Sequence, residues 1–308
     1  MLGRISGAVR FREPLSFHTS LRMGGPAEFF IMPQGLDDLR YALAFAEQED
    51  LPFIVLGGGN NLLVSDRGLS AVVVKLEGIL SRAEFAGDEV AVGAGMPLSE
   101  LIREAAAKGL GGLEFLAGIP ATVGGALTTK TRTPEGSLLE YCQAIYFLHP
   151  DGTMGEHHSG AGGAGPTFDL PTGSIVVGCR LQLHRRPAQA VQKTLHHRLK
   201  VWKESQPFAL AAAGYIWKDP PGHRAARLLE TVGLRGKRVN GAEIPSKSAN
   251  LIVNRGGATH QDVLALMEMS RARVETRLGI TLQSEIRLLG LPTAATFEAQ
   301  PLEMAAAR

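Results

Sequence analysis

Three glycine-rich stretches hold the residues of this chain best suited to chemistry: LGGGNNLLVSD at 56–66, VGAGMPL at 92–98 and GIPATVGGA at 118–126. Glycine exposes backbone N–H groups and accepts positive φ, and asparagine tolerates left-handed conformations. Gly57, Gly58, Gly59, Asn60 and Asn61 therefore read as a tight loop against a phosphate, and a bound dinucleotide follows. The plain alternative is a set of hairpin turns, where glycine and asparagine also dominate. For Gly93-Ala94-Gly95 alone a turn is the better reading; for residues 56–66 ligand binding is. No G-x-G-x-x-G closes a strand and opens a helix, so the common dinucleotide-binding fold is not indicated.

Other side chains offer less chemistry. Cys142 and Cys179 are the only cysteines and lack C-x-x-C spacing, which argues against a disulfide framework or a thiolate metal site. Both read as small apolar core residues. His157 and His158 fall in a glycine-rich loop and His196 and His197 in a basic helical segment, so no metal is expected. A formal charge of +2 over 308 residues, with basic residues dispersed, gives no nucleic-acid footprint. No run approaches the ~20 apolar residues of a membrane helix, and residues 1–17 lack the apolar core of a signal peptide. The expectation is a cytoplasmic monomer with a hydrophobic fraction of 44%, enough for ordinary compact cores.

These loops need elements to hold them. Residues 26–32 read as a strand, 36–49 as a helix with acidic residues at its start, and PFIVLG as a buried strand. The β-α-β pattern continues through LLVSD and AVVVKL to Glu77. It restarts at Glu89 with VAVGAG, the helix PLSELIREAAAKG, and two strands of a mixed sheet in YCQAIYFLHPDGT and GSIVVGCRLQLH. Residues 156–173 between them read as a loop, and AVQKTLHHRLKVWKESQP as a basic helix dividing the chain. A third unit holds the helix HRAARLLETVG, a helix from Thr259 with Asp262 early and arginines late, and a closing strand TLQSEIRLLG; residues 293–308 read as a frayed tail.

The order of HTSLRMGGPAEFF, LGGGNNLLVSD, VAVGAG, GLEFLAGIPATVGGA, WKDPPG, LLETVGLRGKRVNGAEIPSKSANLIVN and GITLQSEIRLLG resembles the MurB family, the UDP-N-acetylenolpyruvoylglucosamine reductases, over roughly residues 15–290. The short C-terminal unit is similar to the compact subtype of that family. The resemblance implies an α+β protein. An FAD-binding domain of the vanillyl-alcohol-oxidase (PCMH) type would comprise subdomains at 1–77 and 78–190, followed by a substrate domain at 191–292. Gly57, Gly58, Gly59, Asn60, Asn61 and Leu62 would cradle the pyrophosphate of FAD. Gly118, Ile119, Pro120, Thr122, Val123, Gly124, Gly125 and Ala126 would line the flavin and ribityl chain, with Ile175 and Val177 nearby.

The implied chemistry has two halves. NADPH reduces FAD, and hydride then passes to the enolpyruvyl double bond of UDP-GlcNAc-enolpyruvate, giving UDP-N-acetylmuramate for peptidoglycan. In the family an arginine and a glutamate polarise the substrate carboxylate and a serine donates the proton. Glu285 matches the glutamate, and Lys218 and Asp219 fall on the substrate-binding Lys-Asn-Pro pattern. The serine position holds Tyr215, the Tyr-Arg-x-Ser segment before GSIVVGCRLQL is replaced, and the Asn-Ala-Gly stretch after VGGA has become LTTKTRTPEG. Three readings stay open: an atypical reductase using Tyr215 and Arg132 or Lys130, a flavoprotein with a changed substrate, or a binding protein without turnover. The first is preferred, because KDPPG and SKSANLIVN persist.

Overall fold

The computed structural model describes residues 1–158, 169–205 and 210–291. β1 (Ala8–Pro14) pairs antiparallel with β2 (Pro26–Met32). Helix α1 (Leu36–Gln48) leads to β3 (Phe53–Val55), β4 (Leu62–Val64) and β5 (Leu69–Val74). Four strands form a sheet in the order β1-β2-β5-β3, with β2 and β3 parallel to β5. The valine run of β5 is buried on both faces, as a central parallel strand requires. On one face lie Leu39, Ala42 and Ala46 of α1, at helical spacing. On the other lie Leu15, Phe30, Ile54 and Val73.

The second unit runs through β6 (Ala83–Ala86), β7 (Glu89–Gly93), α2 (Leu98–Ala107), β8 (Leu110–Gly111) and α3 (Val123–Thr128). It continues with β9 (Arg132–Thr133), β10 (Gly136–Ser137), β11 (Cys142–Leu148), β12 (Met154–His158), β13 (Ile175–Gln182) and β14 (His184–Arg185). Its sheet, in the order β12-β11-β13-β7-β6, is antiparallel at every pairing, which corrects the mixed sheet read from the sequence. His157 and His158 are likewise strand residues, paired with Ile145 and Ala144. Most of the loop read at 156–173 falls outside the described residues, as does the tail. Cys142 and Cys179 are free and buried. They neighbour each other on adjacent strands, and the nearby Cys142 thiol together with burial pushes the Cys179 thiol well up.

Helix α4 (Ala188–Ser205) packs on the second unit: Leu195 rests against that core, and Gly118 fits under the ring of Trp202. The third unit holds β15 (Ala211–Ala212), α5 (Ala225–Thr231), β16 (Arg238–Val239), β17 (Ala242–Glu243), β18 (Val253–Asn254), α6 (His260–Leu278) and β19 (Arg287–Leu289). Asp262 does more than complement a dipole. It closes a capping box with Thr259, and Gly279 at φ +66 ends the helix in a left-handed cap.

The strand read as closing the third unit lies elsewhere. β19 pairs parallel with β4, Leu289 enters the core of the first unit, and β4 stands outside the four-stranded sheet. Conversely, Leu21, Met23 and Leu63 belong to the core of the third unit beside Trp217, Leu229 and Met267. The ends of the chain are thereby interlocked where the glycine loop emerges.

Candidate functional site

The glycine loop leaves β3 and re-enters the fold at β4, so both its ends are fixed by pairing strands. Only Gly59 has positive φ (+65), which corrects the conformational reason given for Gly57 and Gly58. Proximity selects those two glycines instead. A Cβ on Gly57 would come within 2.8 Å of Thr122 Oγ1, and one on Gly58 would overlap the Asn60 amide and approach Pro120 O to 3.1 Å. At Gly59 a Cβ would overlap the carbonyl of His18. The loop thus lies against residues 120–122, and Asn60 Nδ2 donates to Pro120 O across the gap. Among the described residues, the N–H groups of Gly57, Gly58, Gly59, Asn60 and Asn61 donate to no partner. A row of uncommitted N–H groups beside side-chain-free backbone fits a pyrophosphate.

The segment opposite is equally constrained. Thr122 caps α3, its hydroxyl accepting from Gly125 N at 3.2 Å. Val123 N donates to Met96 O and Gly124 N to Ala94 O, both at 2.8 Å, while a Cβ on Gly124 would stand 2.7 Å from that of Ala94. Gly93-Ala94-Gly95 is therefore a turn serving as the bed for α3, tied onward by Ala94 N to Val177 O at 3.0 Å. Val123, Ala126, Ile175 and Val177 are buried, so an approaching ring system would meet mainly the backbone of Val123 and Ala126. Ile119, Pro120, Gly124 and Gly125 keep exposure, whereas Gly118 (φ +90) is covered on its Cβ side by Trp202.

Beneath the loop, the His18 ring stacks on Phe30 at 4.2 Å and shares a 2.9 Å hydrogen bond with Glu13. That histidine holds the Glu13 carboxyl below its ordinary range, against the upward push of burial. Ser20 N donates to Gly59 O at 3.0 Å, completing the floor.

Two of the three predicted catalytic positions, Tyr215 and Glu285, lie on adjoining backbone at the rim. Trp217 and Ser284 form an antiparallel bridge, flanked by Lys218 N to Gln283 O at 2.9 Å and Glu285 N to Ile216 O at 2.8 Å. Gly214 N donates to Asn60 O, so the backbone of Tyr215 runs from the glycine loop to the partner of Glu285. Tyr215 is 53% exposed, which leaves its phenol free of the core. Glu285 is half-buried, and its carboxylate has no hydrogen-bond or ion-pair partner among the described residues. Lys218 and Asp219 are exposed, and Asp219 Oδ1 accepts from Ala225 N at 2.8 Å at the start of α5.

Arg132 is exposed in the β9–β10 hairpin, where it pairs with Ser137. That hairpin is anchored by Arg198 to Glu135 at 2.6 Å, and Lys130 is committed to Asp169 at 2.8 Å.

Two contributors escaped the sequence reading. Asn250 clamps Trp217 from both sides, accepting from its N–H at 2.9 Å and donating to its carbonyl at 2.8 Å. Its signal lay in SKSANLIVN, where no role was assigned to it. Arg287, two residues beyond Glu285, donates its N–H to Asn61 O at 3.0 Å where β19 meets the glycine loop, its signal being that adjacency. Among the described residues no three of His, Cys, Asp and Glu gather to hold a metal, and no helix is long and apolar enough to cross a membrane.

Comparison with known proteins agrees with this geometry. The FAD binding domain model matches residues 27–156, and the UDP-N-acetylenolpyruvoylglucosamine reductase C-terminal domain model matches residues 206–289. UDP-N-acetylenolpyruvoylglucosamine reductase 2 of Symbiobacterium thermophilum is 37% identical, the match covering 93% of this chain and 94% of that protein. The Moorella thermoacetica reductase is 39% identical over 92% and 93%. The crystal structure of MurB from Thermus caldophilus superimposes with a TM-score of 0.77 at 35% identity, covering 92% of this chain and 99% of that one. With relatives so similar along nearly its whole length, this α+β chain belongs to the UDP-N-acetylenolpyruvoylglucosamine reductase family.

Proposed function

We propose that this protein is an FAD-dependent reductase that uses NADPH to convert UDP-GlcNAc-enolpyruvate to UDP-N-acetylmuramate in peptidoglycan synthesis. The observation that supports the reading is the hydrogen-bonded junction between the N–H-rich glycine loop and the backbone of the Glu285 segment, as an FAD cradle beside a carboxyl group would need. Gly57 to Leu62 hold the pyrophosphate, and residues 118–126 with Ile175 and Val177 bound the ring system. When bound, FAD supplies the hydride relay from NADPH.

The chain's own residues do the rest. Hydride addition to one carbon of the enolpyruvyl double bond places negative charge next to the carboxylate, and a proton on the other carbon completes the reduction. Glu285 takes the family glutamate's place beside the developing anion. The Tyr215 hydroxyl delivers the proton, and its exposure supports a role facing substrate. Lys218 and Asp219 flank the UDP-sugar, and Arg132 adds positive charge from the hairpin. The division at 77, 190 and 292, a monomeric state and a cytoplasmic location complete the proposal, with cell shape and division as its physiological setting.

The test is product analysis. Incubation with NADPH and UDP-GlcNAc-enolpyruvate yields a UDP-sugar heavier by two hydrogens, with one NADPH consumed per product. NADPH consumption without that product overturns the reading.

A further inference from the structure

We infer that Arg287 is the cation that receives the substrate carboxylate, a role the sequence reading gave to Arg132 or Lys130; this rests on the reductase reading above. Charge developing next to a carboxylate needs a fixed cation, and several cations of the fold are paired elsewhere. Lys130 is paired with Asp169, Arg198 with Glu135, Arg255 with Glu243 and Arg271 with Glu268. Arg180 is shared between Tyr146 and Glu156. Among the described residues, the guanidinium of Arg287 enters no hydrogen bond or ion pair.

Its backbone is nevertheless tightly placed. Arg287 N donates to Asn61 O at 3.0 Å, and the residue pairs in register with Leu62, so it leaves the sheet directly beside the pyrophosphate loop. Ile286 is 1% exposed while Glu285 and Arg287 are both half-buried. The two charged residues thus flank a buried one where the chain enters β19, each with part of its surface open to solvent. They do not pair with each other, although such neighbours commonly do. Each keeps its hydrogen-bonding capacity for a third group, and a planar guanidinium matches a carboxylate in two parallel bonds. Arg132, by contrast, belongs to a hairpin anchored to α4.

The test compares two ligands on the oxidised holoenzyme, titrated by the change in flavin absorbance: UDP-GlcNAc, which lacks the carboxylate, and UDP-GlcNAc-enolpyruvate. In Arg287→Gln the enolpyruvyl sugar should weaken about 10- to 100-fold while UDP-GlcNAc stays within about twofold. Arg287→Lys should recover part of the difference, and bound flavin reports that the fold is intact. If Arg287→Gln fails to retain flavin, Arg287→Lys carries the comparison and must still lose affinity for the enolpyruvyl sugar alone. An unchanged preference, an equal loss for both sugars, or loss of the preference in Arg132→Gln instead would overturn the assignment while leaving the reductase reading intact. Failure of the unmodified protein to bind either sugar would overturn both.

Discussion

The side-chain amide of Asn61 donates to the carbonyl oxygen of Glu285 at 3.1 Å. A residue read from the sequence as part of the pyrophosphate cradle is thus also the tie that positions the carboxyl group. Asn61→Ala should cost about 1 kcal/mol of stability and slow substrate-driven flavin reoxidation, with FAD still bound. Stopped-flow reoxidation together with a melting curve checks this; an unchanged reoxidation rate would reduce the bond to a structural detail.

The glycine loop makes a graded prediction. Gly59→Ala meets the His18 carbonyl from a left-handed backbone, so it should abolish FAD binding or folding. Gly58→Ala displaces chiefly the Asn60 amide, a movable group, and should weaken FAD by a smaller factor. Flavin content after purification ranks the two. Equal loss in both variants would contradict proximity as the reason for Gly58.

Acid should find a weak point at the start of α6. The Thr259 N–H, with the Asn240 amide and Thr259 hydroxyl, holds the Asp262 carboxyl below its ordinary range against the push of burial. A depressed folded value means stabilisation present above the unfolded pKa of about 3.9, lost as pH falls through the folded value. Asp262→Ala should cost about 1 kcal/mol near neutrality, and the gap in melting temperature should close as pH falls below the ordinary aspartate range. A gap that is constant with pH would show that the charge does not contribute.

Local features were legible in the sequence. Gly57 to Asn61 as a tight loop, and Asp262 as an acidic residue early in its helix, need only a few neighbouring residues to be recognised. What could not be read is long-range. The pairing of β4 with β19 joins two three-residue strands from opposite ends of the chain, too short to show periodicity. Strand β1 was missed because AVRFREP mixes charge with an exposed Phe11 on an edge. The φ of Gly58 and the freedom of Arg287 depend on what lies across from them, which neighbouring sequence does not encode.

Tyr215 tests the altered chemistry. Tyr215→Phe keeps the ring and removes the transferable proton, so reoxidation should fall about 10²–10⁴-fold with UDP-sugar affinity retained. Tyr215→Ser restores the family's donor and should keep or raise activity. If neither variant differs from the unmodified protein in a single turnover, Tyr215 is not the proton donor.

The central claim is that one bound flavin passes hydride from NADPH to the enolpyruvyl sugar beside Glu285. Under anaerobic conditions NADPH should bleach the flavin, and UDP-GlcNAc-enolpyruvate should restore its colour in a single turnover. In Glu285→Gln bleaching should proceed at nearly the unmodified rate while recovery slows about 10²–10³-fold. Bleaching without recovery in the unmodified protein would contradict the account, as would equal slowing of both steps in the variant.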